Sequence, residues 1–139
     1  MKRIIHGPIA FFAMAFAWVC APVHAQQLPT TGWTPKILNA LTNTAVAVKA
    51  AGGQLAMVQC YNPNSSQAYI QIFNVASGSV TVGTTAPTLS IPIAATATGG
   101  WVVAPGGVYF SVAISVAATT TATGATAPST AVDCNAAFN

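Results

Sequence analysis

From Gln26 to Asn139 the only side chains with a formal charge at neutral pH are Lys36, Lys49 and Asp133, and the stretch contains no His, Glu or Arg. Ser and Thr hydroxyls are plentiful, but a hydroxyl attacks only with a base beside it. The catalysis open to this set is an unusual Ser–Lys pairing with Asp133 as the lone carboxylate, and no motif marks one. Zinc and iron sites draw on His, Cys and carboxylates, calcium on several carboxylates, and bidentate phosphate capture on Arg. The expectation is a protein that is not an enzyme, with no catalytic residues, no metal site and no cofactor.

Recognition is the chemistry that remains. Trp33, Trp101 and Tyr109 are suited to stacking on sugar rings if they share an exposed face, as in carbohydrate-binding modules. The plainer account puts Trp101 and Phe110 in the core, because aromatics supply much of the buried area of a small domain. Asn64-Ser65-Ser66 matches the N-glycosylation pattern and also reads as a polar hairpin tip.

These residues follow a leader. Met1-Lys2-Arg3 is basic, residues 9–20 are apolar, and Val23 and Ala25 are small residues at −3 and −1 from Gln26. That pattern predicts a secretory signal peptide over residues 1–25, cleaved after Ala25, and a secreted or periplasmic product. A membrane anchor is the competing reading, but the apolar run is shorter than the roughly 20 residues a span needs. No transmembrane segment is expected after cleavage. Cys20 follows Val19 instead of the small residue of a lipid-attachment signal, and leaves with the leader.

The 139-residue chain less these 25 leaves 114 residues, enough for one domain. Cys60 and Cys134 are then the remaining cysteines, and an oxidising compartment predicts a disulfide between them, with two buried free thiols as the alternative. Two Lys against one Asp give a net charge of +1, which offers no electrostatic case for nucleic acid.

Residues 26–35 hold two prolines, a glycine and no period, and read as a flexible N-terminal arm. From 36 to 139 short apolar runs alternate with turn formers, as in a single all-β domain. Alternation over 108–116 predicts one strand with Val108, Phe110, Val112, Ile114 and Val116 on one face. Two aromatic-rich runs, 54–62 and 67–75, flank Asn62-Pro63-Asn64-Ser65-Ser66 and predict a β-hairpin. Further strands are expected at 37–41, 44–50, 79–84, 88–93, 101–104 and 131–138, with a helical turn after Pro35 as the alternative at 36–41. The fold class is an antiparallel β-sandwich of about eight strands. A jelly roll is among the topologies allowed, since Greek-key and meander connections share the same local pattern. The segments 83–88 and 124–130 echo one another and read as equivalent connections.

Soluble monomers usually carry about a quarter or more charged residues on their surface. A chain with three charges, relying on Thr, Ser, Asn and Gln for hydration, is expected to work as a homo-oligomer or within a larger assembly, through unpaired strand edges.

The residues from Val48-Lys49-Ala50 through Gly53-Gln54-Leu55, and from Tyr61 to Asn74, resemble small β-rich proteins encoded among bacteriophage and prophage structural genes. Residues 83–93, 107–111 and 117–124 continue the resemblance in the same order, so that it spans roughly 45–131. It implies a virion- or tail-associated structural role, with virion or cell-surface components as partners and no specific activity. The leader and the two cysteines depart from that pattern and fit an exported version.

Overall fold

The computed structural model describes residues 32–103 and 106–139. The predicted signal peptide and residues 26–31 of the predicted arm lie outside the described residues. Nine strands form among them: β1 Thr34–Leu41, β2 Val46–Lys49, β3 Gly53–Asn62, β4 Ala68–Phe73, β5 Leu89–Ile93, β6 Ala97–Val102, β7 Val108–Phe110, β8 Ile114–Thr119 and β9 Val132–Phe138. The first sheet runs β1-β9-β3, with β6 and β7 both pairing along the far side of β3. The second runs β2-β8-β4-β5. All these pairings are antiparallel. Leu38, Leu55 and Val58 from the first sheet meet Ile70, Ile72 and Val116 from the second in one core, and the expected β-sandwich is what forms.

β6 and β7 behave as one interrupted strand. Val103 N still donates to Ala56 O, and β7 then resumes pairing with β3 from Leu55 to Gly53. The interruption sits opposite a bulge, where the β3–β9 register shifts between Leu55 and Met57. Gly107 serves the return at φ +64, and a Cβ there would stand 2.8 Å from Leu55 O. If β6 and β7 count once, the chain-order partners are first with eighth, second with seventh, third with sixth and fourth with fifth.

Several expectations are corrected. The runs 54–62 and 67–75 are strands but no hairpin, since β3 lies in the first sheet and β4 in the second. Fully buried Asn62 turns the chain between them: its Nδ2 donates to the carbonyls of Ser66, Ile93 and Ala94 and its Oδ1 accepts from Asn64. The stretch 108–116 also divides, into β7 and β8 in different sheets, with an exposed bend at Ser111 and Val112. Asn74 holds that bend by accepting from Val112 N and donating to Ser111 Oγ. No strand forms over 79–84, which follows a 3-10 turn at Ser77–Ser79 and closes locally through Thr84 and Thr85 N to Thr81 O. Gly99 and Gly100 lie within β6 rather than in a turn, and a Cβ on Gly100 would collide with Val58 O. β1 begins at Thr34, inside the predicted arm, because Thr34 and Pro35 already pair with Phe138 and Ala137.

The two outer faces differ. On the second sheet Gln71, Phe73, Ser115, Ala117 and Thr119 point away from the core yet are fully buried, because the loops after β4 and β8 lie over them. Ser115 Oγ donates to Val75 O, and Gln71 Nε2 donates to Thr119 Oγ1 and to the carbonyls of Thr121 and Gly124. The echoed segments meet here, with no room for a Cβ between Gly83 and Ala125. They are neighbours but not equivalent connections, since one joins β4 to β5 within a sheet and the other takes β8 across to β9.

Candidate interaction face

The charged groups are dispersed, and two of the three are bound to main chain. Asp133 Oδ1 accepts from Ala40 N at 2.8 Å, supporting the left-handed Ala40 (φ 55) at a β1 irregularity. Lys49 Nζ donates to Asn139 O at 2.6 Å. Asn139 is six residues further along the chain than Asp133, or about 20 Å in an extended strand. Lys36 pairs with Ala136 between them. Among the described residues no three His, Cys, Asp or Glu side chains cluster to hold a metal, and no helix is long and apolar enough to cross a membrane.

Cys60 and Cys134 form a disulfide. They are register partners across β3 and β9, with Cα atoms 4.0 Å apart, and both face the core. Asn64, the acceptor of the glycosylation pattern, is buried and no polar tip: its Nδ2 donates to Thr130 O, and its Oδ1 accepts from Ser129 Oγ and Thr130 N. A glycosyltransferase cannot reach that nitrogen in the folded domain.

The three candidate aromatics do not share one face. Trp101 pairs with the core residue Val58 and therefore points inward, where it borders an open groove of about 250 Å³ with Leu89, Ser90, Ile91 and Pro92. Ser90 Oγ, and Gln71 Oε1 on the outer side of the second sheet, belong to register partners across β4 and β5 and are buried side-chain atoms without a hydrogen-bond partner. Tyr109 points outward and is 68% exposed. Trp33, one residue before β1, continues the outward parity of Pro35 and Ile37.

Register organises the outer face of the first sheet into rows. One row, Pro35–Ala137–Met57–Val102, is apolar across the whole sheet. On one side of it lie Trp33, Asn139, Gln54 and Tyr109, where Asn139 Nδ2 donates to Gln54 Oε1 at 2.9 Å. On the other lie Ile37, Asn135, Gln59 and Gly100. Ile37 is 70% and Val102 67% exposed, and nothing among the described residues covers this face. Asp133, at one end, is its only charged residue.

The sequence reading missed Ile37, Met57, Tyr61 and Val102. The signal was the alternation of Trp33, Pro35 and Ile37, but choosing the buried face of β3 required the bulge at Ala56, which puts Leu55 in phase with Val58 and Cys60. No protein-family profile, curated protein or solved structure matches this chain.

Proposed function

We propose that this domain is a jelly roll serving as an exported, non-catalytic structural or adhesive module of phage-like origin, at work in a homo-oligomer or larger assembly. The nested pairing, first with eighth through fourth with fifth, supports the jelly roll, which is a long antiparallel hairpin rolled into two sheets. The buried Cys60–Cys134 bridge supports export, since such bonds persist in oxidising compartments. The phage-like origin rests on the sequence resemblance alone, and a fold by itself names no function.

The uncovered apolar face of the first sheet carries the assembly reading, because contiguous exposed apolar patches mark contact surfaces. Light scattering coupled to size exclusion, with negative-stain microscopy, tests it on the mature protein. Oligomers or ordered particles are expected, and a monomer at every accessible concentration refutes it. A second reading, carbohydrate binding, draws on Trp33 and Tyr109 flanking the amides of Asn139 and Gln54 in one row. Glycan-array binding lost in Trp33→Ala and Tyr109→Ala, with the fold intact, would favour it.

A further inference from the structure

Resting on the assembly reading, we infer that the occupant of the first sheet's outer face is a second copy of this chain, packed face to face about a two-fold axis along the row Pro35–Ala137–Met57–Val102. Strand addition at the edges is blocked. Pro35 and Pro92 interrupt the donors of edge strands β1 and β5, β2 has four residues and carries Lys49, and the remaining edge is broken between β6 and β7. The second sheet's outer face is covered by its own loops. Among the described residues one broad surface is left for association.

That surface complements itself. A two-fold along the apolar row lays it on its own copy and sets each flanking row against the opposite flank of the partner. Trp33 then meets Ile37 of the partner subunit, and Tyr109 meets the space left by Gly100 of the partner subunit. Asn139 and Gln54 meet the amides of Asn135 and Gln59 of the partner subunit. The same rotation sends the two copies of Asp133 to opposite ends, so no like charges oppose. Four strands spaced about 4.8 Å apart and about 23 Å long give roughly 450 Å² of plane. With side-chain relief this reaches roughly 1,000 Å² over both copies, the lower bound for a specific interface and typical of weak, reversible ones. Sugar binding explains the amides and aromatics but not the aliphatic row that crosses every strand.

The test uses the mature, oxidised protein. Ile37→Lys and Val102→Lys, together, are expected to weaken association at least 10-fold by sedimentation velocity across 1–200 μM, while Val112→Lys, exposed outside this face, leaves it unchanged. Met57→Cys, on the axis, is expected to form a covalent dimer under mild oxidation, whereas Val112→Cys is not. This readout stands even if the double variant fails to fold. Association that survives the double lysine variant with native circular dichroism, or no dimer from Met57→Cys, overturns the inference and leaves the assembly reading intact. A wild-type monomer throughout overturns both. A monomer whose glycan binding is abolished by the same lysines assigns the face to sugar instead.

Discussion

Asn62→Asp exchanges an NH2 for an oxygen in a fully buried side chain and leaves the volume unchanged. In the native domain Nδ2 donates to the carbonyls of Ser66 (2.9 Å), Ala94 (3.0 Å) and Ile93 (3.2 Å), and Oδ1 accepts from Asn64 N (3.0 Å) and Nδ2 (2.7 Å). Once ionised, the new carboxylate aims an oxygen at three carbonyl oxygens; protonated, it keeps one donor. Burial and those carbonyls therefore raise its folded-state pKa above the ~3.9 of the unfolded chain. A raised folded pKa means the stability contribution is present below pH ~4 and lost as pH rises through the folded value. Each tenfold change in proton affinity costs about 1.4 kcal/mol, and this pH-dependent loss comes on top of about 1–2 kcal/mol for the missing donor bonds at any pH. Small domains are stable by about 5–15 kcal/mol, so the variant is expected to be folded at pH 4 and measurably less stable at pH 7. Urea unfolding followed by tryptophan fluorescence, with the disulfide intact, measures this. The chain's only native acidic residue, Asp133, leaves little background. Equal losses at pH 4 and pH 7 would refute the role of Nδ2 as the donor tying the β3–β4 connection to the end of β5.

Reducing the domain, or making Cys60→Ser with Cys134→Ser, is expected to cost ~4 kcal/mol, because the bridge closes a separation of 74 residues; chemical denaturation with and without reductant checks it. Gly107→Ala forces a side chain to φ +64 against Leu55 O and should lose at least about 1–2 kcal/mol, read as a lowered urea midpoint. Thr96 is a β-branched residue at φ 47, so Thr96→Gly should stabilise by roughly 1 kcal/mol and raise Tm by about 4–8 °C by calorimetry.

Composition and alternation made the all-β class legible, since apolar runs of strand length recur between turn formers throughout 36–139. The disulfide followed from compartment and count. Which strands join which sheet did not follow, because the deciding groups are single side-chain amides. Asn62 and Asn64 turn the chain after β3 out of the first sheet and Asn74 bends it between β7 and β8, and in sequence each looks like an ordinary loop residue. Burial on both sides of β4 and β8 was equally hidden, because Gln71, Ser115 and Thr119 read as solvent-facing until the loops cover them. The exposed face was obscured for the converse reason. Ile37 and Val102 are apolar residues that period-two logic sends inward, and the register places them outside.

The last of the nine strands, β9, lies between β1 and β3 in the middle of its sheet. On a chain delivered from its start, β1 and β3 therefore stay unjoined until β9 arrives. The first sheet cannot lock before then, and the cysteine in β9 meets its partner only at that step. Cutting β9 away removes the sheet's central seam, so a short truncation at this end should cost the whole domain, where the same loss from a bordering strand would merely fray it.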